Sequence, residues 1–214
     1  MPAKPNEQNM TIRNSIWRLH ICGNKYLGLI PHDLDYFQTH FVGKTMPEDW
    51  PPPPIELSGK SKKIPDFMSW MTSAPVISEK AKLALEPILN GYAQFLPFLD
   101  IKGKKFYAMN VTHVETHLLD IEKSVILYST AEPKVALMLK QAYFVEPLPS
   151  NLPPIFKITI STDDVLGEIF VTKKFAEIMI ERKLTGLALA DPQQNGLKLL
   201  MDGKSQNVVL GVIE

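Results

Sequence analysis

The side chains that could do chemistry fall into a few small groups along this 214-residue chain. His32, Asp33, Asp35 and His40 bring two imidazoles and two carboxylates into one short stretch. Those residue types hold cations or pass protons in acid–base catalysis. The stretch has no clear period, so the favoured reading is a polar loop offering a contact surface. His113 and His117 stand four apart with Glu115 between them, and on a helix opened by Thr112 they would share a face and could meet a metal ion. The string lacks the glutamate directly after its first histidine that a zinc-protease helix requires. Glu115 instead has capping-box spacing from Thr112, which predicts a single helical turn there.

Three further groups have simpler explanations. His20 and Cys22 lie two apart, on one face of a strand, yet a lone cysteine in an apolar strand is ordinarily a small core residue. Gly59-Lys60-Ser61 and Gly203-Lys204-Ser205 look like the tail of a phosphate-binding loop, but Pro54 and Lys198 stand where its leading glycine must be, so both read as turns. Asp120 and Ser124 bracket a turn and are expected to lock it through backbone hydrogen bonds. No catalytic residue, cofactor site or metal site is assigned on this basis. The alternative is an enzyme or metal-binding protein using His32, Asp33, Asp35 and His40, or His113 and His117.

Composition narrows the partners. Lysine plus arginine equals aspartate plus glutamate at 23 each, and this balance argues against nucleic acid, whose binders carry a basic excess. The run Lys60, Lys62, Lys63 is offset by Glu56 and Asp66. Cys22 is the only cysteine, so neither an intrachain disulfide nor a multi-thiolate zinc site can form. Residues 1–14 are polar, with Pro2 and Pro5 and no apolar stretch of the secretory-signal type, and no later run approaches the roughly 20 apolar residues of a membrane span. A cytoplasmic protein without a membrane partner is expected; homo-oligomerisation is left open.

The elements that must position these groups follow from period and punctuation. Residues 1–14 form a flexible lead-in. Residues 15–46 hold an N-terminal hairpin, Ile16–Ile21 turning at Gly23-Asn24 into Tyr26–Ile30. Residues 47–75 are a proline-rich connector containing Pro51-Pro52-Pro53-Pro54, which must adopt polyproline II at a surface or between elements. It serves as a spacer, or in a third reading as the docking motif of a cytoplasmic adaptor. Residues 76–214 form the main domain.

Within that domain Ser78 caps a helix carrying Ala81, Leu85 and Ile88 on one stripe, shortened or kinked by Pro87 and closed by Asn90-Gly91. Phe95–Phe98 and Lys105–Val111 are strands joined across Gly103. Val125–Tyr128 is expected as a buried strand and 133–143 as weakly helical. Ile155–Ile160 and Leu166–Val171 are strands, and Thr172 caps a helix bearing Phe175, Ile178, Met179 and Arg182, ended by Gly186. Leu187–Ala190 completes a strand-helix-strand unit, and a hairpin over Asp202-Gly203 closes the chain. The expected class is α+β, with mixed or largely antiparallel sheets and a few packed helices.

The order of certain residues resembles a family. Asp49-Trp50-Pro51, Gly59-Lys60 leading to Asp66, Ile77-Ser78, Phe95-Leu96-Pro97, Phe106 to Asn110, Leu119-Asp120 with Ser124, Ile155-Phe156 and Leu184-Thr185-Gly186-Leu187 together resemble a bacterial immunity-protein family of polymorphic toxin systems. That family was long catalogued as a domain of unknown function and was named after a myxobacterial representative. The resemblance covers about residues 50–190. It implies a cytoplasmic antidote that binds a cognate toxin protein encoded nearby, and it supplies no catalytic residues. For such a partner Trp50 and Trp70 are the expected aromatic anchors, with Asp33, Asp35, Asp163 and Asp164 as acidic specificity contacts.

Overall fold

The computed structural model describes residues 16–21, 26–32, 40–71, 73–130, 132–160, 165–193 and 208–210. Its elements in chain order are β1 (Ile16–Ile21), β2 (Gly28–Pro31), β3 (Ile55–Ser58), β4 (Phe67–Met71), β5 (Ala74–Ser78), α1 (Glu79–Leu89), β6 (Ala93–Ile101), β7 (Lys104–Val111) and β8 (Val114–Glu115), followed by β9 (Val125–Tyr128), β10 (Ala136–Gln141), β11 (Ile155–Ile158), β12 (Phe170–Thr172), α2 (Lys173–Glu181), β13 (Leu187–Ala190) and β14 (Val208–Leu210). The class is broadly α+β, with low helix content and mostly β structure.

A six-stranded sheet runs β14-β13-β1-β12-β11-β8 and a four-stranded sheet runs β4-β5-β7-β6. Two ribbons, β2-β3 and β10-β9, complete the strands. The alternation of side chains along each strand sends successive residues to different cores. In β4, Phe67 enters a core shared with both helices, whereas Met68 enters a second core with Phe41, Trp50 and Trp70. In β12, Val171 faces the helices and Phe170 faces a third core with Leu139 and Phe156. Both faces of the sheets are therefore covered at β4 and β12, whose apolar residues run on without alternation.

Helix α1 forms where its sequence says it should. The Ser78 hydroxyl accepts a hydrogen bond from Ala81 N–H at 3.2 Å, and Ala81, Leu85 and Leu89 are buried at a spacing of four. Pro87 lies inside the helix without ending it, and Asn90 and Gly91 (φ +83°) close it. The β6–β7 turn at Lys102 (φ +54°) and Gly103 (φ +75°) is also as read.

Other expectations are corrected. β1 and β2 do not form a hairpin: β1 is a central strand with β12 on one edge and β13 on the other, so β2 pairs with β3. β1 joins strands from beyond residue 150, and residues 47–75 contribute β3 and β4. The tract itself is exposed at Pro51, Pro52 and Pro54 and buried at Pro53. Thr112 does not open a helical turn. The N–H groups of Thr112 and His113 both donate to Tyr92 O, and Val114–Glu115 joins β11 as a short parallel strand.

The segment 133–143 is extended rather than helical, since β10 pairs with β9 through two bulges. An apolar run this short satisfies either period. Val125 and Tyr128 are exposed, so β9 is not the buried strand expected. Leu166–Ile169 lies outside any strand, and only Phe170–Thr172 pairs. Thr172 occupies the N-cap of α2 without a side-chain capping bond, and α2 buries Phe175, Ala176 and Met179 while Arg182 is its C-cap. Gly186 (φ +86°) does not end that helix. It lets the chain pass β4, where a Cβ would collide with the Phe67 carbonyl and the Pro65 ring. The expected C-terminal hairpin falls mostly outside the described residues, although β14 pairs antiparallel with β13.

Candidate interaction surface

The β9–β10 ribbon carries two unlike sets of side chains. Leu139 is fully buried and Ile126 packs beside it in the third core. Val125, Tyr128, Val135 and Leu137 are 42%, 42%, 48% and 59% exposed, and Ile121 is 49% exposed just before the ribbon. An exposed group of large apolar residues costs solubility and ordinarily marks a recognition surface.

The base of the ribbon is pinned by the turn that precedes it. Asp120 accepts from Lys123 N–H at 3.2 Å and from Lys123 Nζ at 2.7 Å, while Ser124 N–H donates to the Asp120 carbonyl at 3.0 Å. The hydrogen bond from the Lys123 side chain holds the Asp120 carboxyl below its usual range. Ser124 Oγ accepts from Tyr143 N–H at 3.0 Å and donates to the Tyr143 carbonyl at 3.3 Å. Asp120 and Ser124 are thus the turn locks their sequence positions implied. On the far side, Leu139 N–H donates to Glu168 Oε1 at 2.8 Å.

A cleft of about 300 Å³ opens beside this base, lined among others by Lys123, Tyr143, Glu146, Asp191 and Gln193. Beneath it, buried Arg18 donates to the Pro192 carbonyl at 3.4 Å. Burial lowers the Arg18 pKa, with Glu168 and Asp191 opposing that effect.

Trp50, Trp70, His32, His40, His113 and His117, singled out in the sequence, lie elsewhere. Trp50 and Trp70 are 4% and 5% exposed, so these expected anchors are core residues in this conformation. Trp50 Nε1 donates to the Pro97 carbonyl at 3.0 Å, its ring stacks on Phe98 at 5.9 Å, and Trp70 lies 4.5 Å from the same ring. Flanking a proline tract, they pack the second core under it because indole burial stabilises more than indole exposure. Asp33, Asp35, Asp163, Asp164 and Cys22 lie outside the described residues. His32 Nε2 is 3.3 Å from Glu56 Oε1 across the β2–β3 ribbon, and His40 is exposed. His113 Nε2 meets Glu115 Oε1 at 2.9 Å and packs edge-on to Tyr92, whereas His117 is exposed in a left-handed turn (φ +62°). The structure pairs His113 with Glu115. Among the described residues no three His, Cys, Asp or Glu side chains gather as a metal site. No helix among them is long and apolar enough to cross a membrane.

Two polar centres inside the fold matter for stability. The Asp66 carboxylate accepts from Ser78 Oγ at 2.9 Å, Lys80 Nζ at 3.1 Å and both the N–H and hydroxyl of Thr185 at 3.0 Å. Burial alone would raise its pKa, but the hydrogen bonds from Thr185, Ser78 and Lys80 outweigh it and hold the carboxyl below its usual range. Three positions of the resemblance pattern, Asp66, Ser78 and Thr185, therefore meet in one latch, with Gly186 beside it. The second centre, which sequence reasoning missed, is Lys157. Its ammonium is fully buried and donates to the carbonyls of Phe41 and Ser73. Burial lowers its pKa to about 7, against a smaller raising effect of Glu168.

No protein-family model matches this chain, and no curated protein matches it.

Proposed function

We propose that this chain is an immunity protein that binds a cognate bacterial toxin and neutralises it by occlusion, without turning over a substrate. The observation that carries the reading is the set of exposed apolar side chains Val125, Tyr128, Val135 and Leu137 on a ribbon whose base is pinned by Asp120 and Ser124. A rigid base with projecting apolar side chains suits a binding surface, because little ordering entropy remains to be lost on association. With the cleft beside it, the region can seed a standard interface of about 800 Å² per partner.

The residue order that resembles polymorphic-toxin immunity proteins supports the same role. Its latch positions, Asp66, Ser78 and Thr185, are occupied in holding β4, α1 and the α2–β13 loop together. That leaves the surface free to differ from one toxin partner to another. The antidote would act in the cytoplasm of the cell that makes the toxin.

The experiment is co-expression with the toxin encoded beside this gene. The chain is expected to restore growth to poisoned cells and to co-purify with a catalytically inactive form of the toxin. Failure to rescue or bind any adjacent toxin candidate rejects the proposal.

A further inference from the structure

One end of the four-stranded sheet concentrates positive charge. Ser78, at the end of β5, lies opposite Phe106 of β7, and its N–H donates to the Asp66 carbonyl at 2.8 Å just before β4 begins. From this end the β6–β7 turn projects with Lys102, Lys104 and Lys105, all exposed. Exposed Lys62 and Lys63 lead into Asp66, and Lys183 is brought alongside by the bond from Lys80 Nζ to its carbonyl at 3.2 Å. None of these lysine side chains forms an ion pair among the described residues, apart from Lys80.

The carboxylates nearby are largely taken: Asp66 by Lys80, Glu86 by Lys82 and Glu181 by Arg182. Asp100 stands opposite Lys105 and Glu79 opens α1, so the unpaired lysines outnumber the unpaired acids. Because the whole chain balances its charges, this end is a local excess that composition does not disclose.

We propose that the β6–β7 tip and its lysine neighbours form a second interaction surface, which takes an acidic segment of another protein, rich in glutamate or aspartate. The proposal stands apart from the immunity reading and does not need it. Neighbouring positive charges without internal partners repel one another, and a segment bearing carboxylates is drawn in and relieves that repulsion. Phosphate chemistry fits less well. Every cation at the tip is a lysine, without the guanidinium fork that grips phosphate at two oxygens. Strand alternation sends Lys104 and Lys105 to opposite faces, so no single stripe follows a nucleic-acid backbone. Lys82 Nζ covers the Tyr107 ring at 5.0 Å from its centroid, which leaves no aromatic platform there for a base. A second copy of this chain is disfavoured as well, because a two-fold contact through this surface sets the same lysines against each other.

The test uses the full chain and a labelled oligoglutamate peptide, followed by fluorescence anisotropy at low and at physiological salt. Binding is expected at low salt and is expected to weaken as salt screens the lysines. Lys102→Glu, Lys104→Glu and Lys105→Glu combined are expected to weaken binding about tenfold or more. The matched control combines Lys44→Glu, Lys134→Glu and Lys174→Glu, exposed positions away from this end: Asn110 at the far part of β7 holds the Lys44 carbonyl, Lys134 precedes β10 and Lys174 begins α2. It changes net charge equally and is expected to leave affinity within about twofold. Asp100→Asn removes the carboxylate facing Lys105 and is expected to tighten binding about twofold, a gain that misfolding cannot produce. Equal losses in the two combined variants overturn the proposal, since net charge alone then accounts for the binding. Absence of binding at low salt overturns it outright. Duplex DNA held more tightly than the peptide through the same tip lysines reassigns the surface to phosphate, and self-association abolished by the tip variant reassigns it to a second copy.

Discussion

Asp66 Oδ2 accepts both the backbone N–H and the hydroxyl of Thr185, each at 3.0 Å, across 119 residues of sequence. The same carboxylate group holds the Ser78 hydroxyl, whose oxygen in turn caps α1 by accepting from Ala81 N–H. One side chain therefore fixes the start of a helix, the end of a loop and the edge of β4.

Replacing Asp66 with alanine leaves Thr185 N–H and two hydroxyls without their acceptor in a largely buried site. The expected cost is roughly 2–4 kcal/mol of stability by urea unfolding. Because the folded pKa of Asp66 is depressed, its contribution is complete above the ordinary carboxylate range near pH ~4. It is lost as pH falls through the lower folded value. Wild type is therefore expected to lose stability with acid below pH ~4 more steeply than Asp66→Asn.

Gly186 sits one residue beyond that latch at φ +86°, with the Phe67 carbonyl and Pro65 filling the space a side chain would need. Gly186→Ala combines left-handed strain with a backbone collision, and is expected to cost roughly 2–4 kcal/mol. Gly103→Ala is the control. It has φ +75° but open space around it, so only the conformational cost of about 1 kcal/mol applies. Equal melting temperatures for the two variants would contradict the collision.

How far the sequence discloses this molecule depends on the range of the interaction. Helix α1 is legible because its cap, apolar spacing and closing glycine all lie within thirteen or so neighbouring positions and all agree. The Lys102-Gly103 turn is legible for the same reason. The exposure of β9 is not, since an uncharged run such as Val125–Tyr128 reads alike whether or not another layer covers it. Trp50 and Trp70 illustrate the converse: aromatic residues beside a proline tract look like surface anchors until Phe41 and Phe98 enclose them. Lys157 is hidden most completely, because its two carbonyl partners lie 116 and 84 residues away.

Lys157 makes stability depend on alkaline pH. Its folded pKa of about 7 lies below the ordinary lysine value near 10.4, so between these limits the unfolded chain binds more protons than the folded one. Stability contributed by this group must rise with pH across that window. Lys157→Met abolishes the titration but leaves the Phe41 and Ser73 carbonyls without their donor. Relative to wild type, the variant is expected to fare better at about pH 7 than at about pH 9.5, measured by urea midpoints. A stability difference that does not change between the two would show that Lys157 keeps an ordinary pKa in the fold.

Leu137 and Leu139 are two residues apart on one strand, yet the first is 59% exposed and the second fully buried. The bulge between Ala136 and Met138 turns Leu137 outward. If the ribbon is a recognition surface, the two leucines must separate binding from stability. Leu137→Lys is expected to leave the unfolding midpoint within about 0.5 kcal/mol of wild type while abolishing rescue by the co-expressed chain. Leu139→Ala empties a place in the third core and is expected to cost about 2–5 kcal/mol, weakening rescue only in proportion to the folded protein remaining. Rescue that survives Leu137→Lys undiminished would move the toxin contact away from this ribbon, because a charge placed amid exposed apolar side chains cannot be buried there without a partner.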